Sequence, residues 1–80
     1  MHELSLTREI ADIVCRAANG QRVHRVSLDI GEQCCASPDA IAFCFDVVVQ
    51  GTVAEGARLE IRRTSGDDCR VTMLEVEEAA

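Results

Sequence analysis

The stretch VHRVSLDIG (residues 23–31) puts Val26, Leu28 and Ile30 on one parity and Arg25, Ser27 and Asp29 on the other. Successive side chains of a strand point to opposite faces, so this alternation predicts a strand with one dry face and one wet face. Upstream, over residues 5–18, Leu6, Ile10, Ile13, Val14 and Ala17 recur at helical spacing, and Asn19 with Gly20 supplies a stop. Downstream, SPDAIAFCFDVVVQG (residues 37–51) predicts a second helix. Ser37 serves as its N-cap, Pro38 takes the first helical position, Asp39 faces the positive end of the dipole, and Ile41, Phe45 and Val48 share a face. This helix is expected to end near Gly51.

After a turn at Glu55 and Gly56 the alternation returns in ARLEIRR (residues 57–63), with Ala57, Leu59 and Ile61 inward and Arg58, Glu60 and Arg62 outward. The closing CRVTMLEVEEAA (residues 69–80) predicts a third strand whose last acidic residues are solvated. Its parity changes between Val71 with Met73 and Leu74 with Val76, which calls for a bulge near Met73. The intervening TSGDD (residues 64–68) has the length and the glycine of a hairpin loop. The elements run α-β-α-β-β. They predict an α+β fold, a three-stranded mixed sheet with two helices on one face, and a right-handed crossover if the second helix links parallel strands.

Size and charge narrow the function. A chain of 80 residues holds one domain, and a domain this small buries only about 60% of its unfolded surface, so chemistry belongs at its ends or exposed face. Fourteen acidic residues against eight arginines, with no lysine, give a formal charge of −6, and the only aromatics are Phe43 and Phe45. Nucleic acid and anionic membrane are poor partners for such a surface. No apolar run approaches the roughly 20 residues that span a bilayer, and the start lacks the pattern of a secretory signal, so a cytoplasmic location is expected. There is no Ser/His/Asp set, phosphate-binding glycine loop or paired carboxylate site, which argues against an enzyme.

Five cysteines, at 15, 34, 35, 44 and 69, form no CxxC pair and make an odd count, unlike a disulfide framework. Cys15 and Cys44 fall within helical patterns as small hydrophobes. Cys34, Cys35 and Cys69 could offer three thiolates to a soft metal, although adjacent cysteines chelate one ion poorly. His24, beside Arg25 at a strand start, reads as a surface residue.

The sequence begins MHELSL (residues 1–6). An α-amine on Met1, the His2 amide nitrogen and the His2 imidazole form a compact nitrogen donor set. Nickel(II) accepts such donors in a square plane and stands high in the divalent affinity series. The amine and the His2 amide close a five-membered ring on the metal, and the imidazole closes a six-membered one. Glu3 can complete the set through its amide or its carboxylate; both remain open.

MHELSL together with RVSLDIGE (25–32), SPDAIAFCFDVVVQGTVAEGARLEI (37–61) and SGDDCRVTMLEVE (65–77) resembles the HypA/HybF family of hydrogenase nickel-insertion proteins over nearly the whole length. The resemblance implies a cytoplasmic nickel metallochaperone that works with a GTPase partner on the hydrogenase large subunit precursor. It also implies that Met1, His2 and Glu3 hold the nickel. An aspartate that some members add before the second helix is matched here by Ser37, so that ligand is not carried over.

One departure stands out. The family carries a zinc module of two CxxC pairs between the second and third strands, whereas here Arg63 and Thr64 run almost directly into Ser65 and Gly66. Residues 1–80 are thus expected to form a single nickel-binding domain with that module absent between about 63 and 66, and zinc is not expected. A homodimer is compatible with the sequence. The alternative function is an interaction domain that docks a maturation partner without carrying metal.

Overall fold

The computed structural model describes residues 2–77, with side chains from Glu3 onward. Its elements are α1 (His2–Ala18), β1 (Val23–Gly31), α2 (Pro38–Val48), β2 (Arg58–Thr64) and β3 (Cys69–Val76). The expected α+β architecture is present: two helices and one mixed sheet of order β2-β1-β3. The alternating stretch is the central strand. It pairs parallel with β2, Leu28 opposite Ile61, and antiparallel with β3, Leu28 opposite Val71.

That order corrects the hairpin reading of residues 64–68. β2 and β3 do not pair; they flank β1, and the link between them steps across its end. Three backbone bonds fasten the link there: Gly31 N–H to the Asp68 carbonyl at 2.7 Å, Glu32 N–H to Thr64 at 2.7 Å and Gln33 N–H to Gly66 at 2.8 Å. Gly31 is required for this approach, because a Cβ on it would stand 2.3 Å from the Gly66 carbonyl oxygen. A short glycine-bearing loop satisfies hairpin rules locally, and nothing local encodes which strand lies between its ends.

Val26, Leu28 and Ile30 are fully buried beneath the helices, in one cluster with Ile10, Val14 and Ala18 of α1 and Ile41 and Phe45 of α2. The buried stripe of α1 differs from the predicted one. Thr7, Ile10, Ala11, Val14 and Ala18 face inward, whereas Ile13 is 53% exposed and Ala17 is exposed. Small residues at 11 and 18 let the helix settle closely, and the bulkier Ile13 is turned out. The helix also starts at His2 rather than Ser5, and α2 stops at Val48, before a turn in which Gly51 takes φ 80°.

The parity change in β3 is resolved as anticipated. The register shifts opposite Ser27 and Leu28, which pair with Met73 and Val71 and leave Thr72 as the extra residue. On the opposite face Asp29, expected to be wet, is buried, its carboxylate covered by the exposed Arg62, which donates through Nε at 3.2 Å and Nη2 at 3.0 Å, a hydrogen bond and a charge that raise the guanidinium pKa. Arg25 lies between Glu60 and Glu75, at 3.8 and 3.5 Å. Glu78, in the expected solvated tail, lies outside the described residues.

Candidate metal centre

β1 starts just after α1 ends, so its far end returns to the start of α1. The segment leading into α2 therefore meets the first turn of α1. Ser37 caps α2 as predicted, its Oγ accepting from Ala40 N–H at 3.4 Å, while its own N–H donates to Glu3 Oε2 at 3.3 Å. The Glu3 carbonyl accepts the hydroxyl of the buried Thr7, one turn along. The carboxylate is thereby held where two helix N-termini, both carrying partial positive charge, come together.

Of the three predicted nickel ligands, Glu3 is placed in full and His2 by its backbone, as the first residue of α1. Met1 lies outside the described residues. Beside Glu3 is an open apolar hollow lined by Leu4, Ala40, Phe43, Cys44 and Val47, with Phe43 72% exposed. Sequence reasoning identified Ser37 as a cap but missed its bond to Glu3, for which there is no local signal. The Thr7 contact had one: threonine four residues after Glu3 is the spacing at which a helical hydroxyl reaches back to a carbonyl.

The other candidate ligands divide. Cys34 and Cys69 are half-buried at this same end, and the Cys69 thiol is pushed up by burial and then by the charge of Cys34. Cys35 is exposed and, with Cys34, lines a shallow hollow against Ser5, Leu6 and Glu9. His24 is at the opposite end of β1, 3.3 Å from Glu77. Among the described residues no group of three or more His, Cys, Asp or Glu is arranged to hold a metal ion. No helix among them is long and apolar enough to cross a membrane.

The Ser37 cap can be tested separately from metal. Ser37→Ala keeps the amide that holds Glu3 and removes only the bond to Ala40. Loss of a cap costs about 1 kcal/mol, which for a domain of this size lowers the melting midpoint by about 4–8 °C. Thermal denaturation checks this. An unchanged midpoint would mean that the 3.4 Å bond contributes nothing.

Comparison with known proteins gives a consistent set. Residues 1–79 match the family model described as hydrogenase/urease nickel incorporation, metallochaperone, hypA. The chain is 49% identical over 77 residues to the hydrogenase maturation factor HypA of Trichodesmium erythraeum, covering 95% of this chain and 68% of that protein. It is 52% identical over 66 residues to the Nostoc punctiforme protein of the same name, covering 82% of this chain and 58% of the other. The Geobacter sulfurreducens counterpart is 46% identical over 66 residues, 60% of its length. The chain thus spans between 58% and 68% of these three relatives. Among solved structures, the solution structure of the Ni metallochaperone HypA from Helicobacter pylori superposes with a TM-score of 0.69 at 14% identity, over 95% of this chain and 93% of that one. At that identity the likeness establishes a shared fold.

Proposed function

The chain belongs to the HypA family, and from that premise we propose that it is a nickel metallochaperone. It takes one nickel(II) ion as cargo at Met1, His2 and Glu3 and, with a GTPase partner, passes it to the large subunit precursor of a nickel–iron hydrogenase in the cytoplasm. On this reading it is a delivery protein, not an enzyme. The observation that carries it is the family match beginning at residue 1, which takes in all three proposed ligands.

The start of α1 suits the chemistry in two ways. Helical ψ, near −42°, leaves neighbouring amide nitrogens on one side of the chain, closer to a five-membered chelate ring than extended backbone would. Amides of the first turn have no acceptor within the helix, so their ligation costs no helical bond. The positive end of the dipole opposes a dication. Glu3 offsets that opposition, with any ionised amide adding further negative charge.

A homodimer is compatible with this reading but not required by it. Resident zinc is not part of it: a tetrahedral structural site needs four thiolate or imidazole ligands, and Cys34 and Cys69 supply two. Elemental analysis after dialysis should find no stoichiometric zinc, and one zinc per chain would overturn this. The competing function, docking a maturation partner without metal, is separated by nickel titration of the untagged chain. Saturation at one ion per chain supports delivery; no saturable binding supports docking.

A further inference from the structure

Two cysteines far apart in sequence meet where β1 ends. Ile30 stands opposite Cys69 in the β1–β3 pair, and the next residue, Gly31, donates its N–H to the Asp68 carbonyl at 2.7 Å. The Gly31 carbonyl in turn accepts the Cys34 N–H at 3.0 Å. That turn brings Cys34 back beside the strand end it has just left, next to the first residue of β3. Both side chains are half-buried against the same apolar cluster. Burial and then the charge of Cys34 raise the Cys69 thiol pKa, and Cys35 is exposed.

We propose that Cys34 and Cys69 form a dithiol pair that a small-molecule disulfide of the glutathione class oxidises to an intramolecular disulfide. The Cys34 thiolate attacks one sulfur of oxidised glutathione, forming a mixed disulfide and releasing one glutathione thiolate. The Cys69 thiolate then attacks the Cys34 sulfur and releases the second. Two protein thiols lose two protons and two electrons, and one glutathione disulfide becomes two glutathione thiols. Burial raises the Cys69 pKa, which lowers the fraction of that thiol ready to attack and slows the second step. The finished bridge ties the start of β3 to the turn that leads into α2. It requires neither nickel nor the proposed cargo site.

The test uses the reduced, untagged chain under native conditions with oxidised glutathione, followed by alkylation and non-reducing peptide mapping. Five cysteines allow ten pairings, so chance gives any one pair a tenth of the product. The expected result is that Cys34–Cys69 forms most of it, within monomers, and equally in Cys35→Ser. Cys69→Ser should retain a glutathione adduct at Cys34 and form no bridge. A bridge made chiefly through Cys35 would overturn the proposal. So would a stable Cys34 adduct beside free Cys69 in the unaltered chain, or cysteines that react only once urea has unfolded the protein.

Discussion

Replacing His2 by alanine is expected to abolish one-to-one nickel binding, weakening it by more than about 100-fold, the upper end of what losing a mere supporting residue costs a metal site. His2 brings the one imidazole to this end: Glu3 is already among the proposed ligands, and the sequence's other histidine, His24, is at the far end of β1. The same site predicts a pH dependence whose sign is fixed. The α-amine, with a reference pKa of about 7.7–8.0, and the imidazole, at about 6.5, must both be deprotonated to bind. Affinity therefore rises with pH. Below about pH 6.5 each unit of acidification should weaken binding by about 100-fold, since two protons are displaced, with a still steeper dependence if an amide ionises too. Calorimetry in buffers of different ionisation heat measures the protons released. Adding one residue before Met1 turns the amine into an amide and moves His2 along, so the spectrum and pH profile should change. A tagged chain that binds with unchanged affinity, profile and spectrum would remove Met1 and His2 from the site.

Gly31→Ala should be the most damaging single-methyl change in the sheet. The new carbon would meet the carbonyl oxygen of Gly66 at 2.3 Å, its carbonyl carbon at 2.6 Å and the Asp67 nitrogen at 2.9 Å. All three atoms are backbone, so no side chain can swing away. Relief means lifting the 65–68 link from β1 and straining the bonds from Gly31, Glu32 and Gln33 that hold it. Overpacking typically costs 1–3 kcal/mol and a backbone bond about 1, which together suggest about 3 kcal/mol. A domain of this length has about 4–12 kcal/mol in all. The melting midpoint should fall by about 12–24 °C. Gly51→Ala is the control: its φ of 80° disfavours alanine, but nothing lies within 4 Å, so it should cost only about 1–2 kcal/mol. Equal midpoints for the two variants would show that the link yields freely.

Much of this architecture was legible because it is written locally. The alternation at 23–31 predicted β1 to the residue, the Ser37–Pro38 start predicted α2 with its cap, and the parity change in β3 predicted its bulge. Features that depend on distant chain were not legible. The inward stripe of α1 is chosen by what it packs on, so Thr7, Ala11 and Ala18 displaced the more apolar Ile13. Strand order depends on which element has partners for both edges, and β1 takes the middle although the 64–68 loop reads as a hairpin. At the candidate site, the donor chemistry of Met1, His2 and Glu3 could be read from the first residues. The bond that holds the Glu3 carboxylate to Ser37 could not, because it joins residues at the starts of two different helices.

The central place of β1 also bears on the order in which the chain can fold as it is made. Apart from the bond from Val23 N–H to the Val53 carbonyl, the strand partners of β1 come from 58 onward, Arg58 with Arg25 on one side and Val76 with Val23 on the other. The ribosome encloses the last few tens of residues it has joined, so Val26, Leu28 and Ile30 emerge while β2 and β3 are still enclosed or unmade. Until those strands are out, α1, and then α2 as it emerges, cover them, and the strand lacks both neighbours. No early hairpin can shelter the segment. The sheet closes only when the last strand is free to pair, so the pace at which β2 and β3 emerge, and any chaperone that binds short apolar strands, act on this protein at the stage when it is most prone to aggregate.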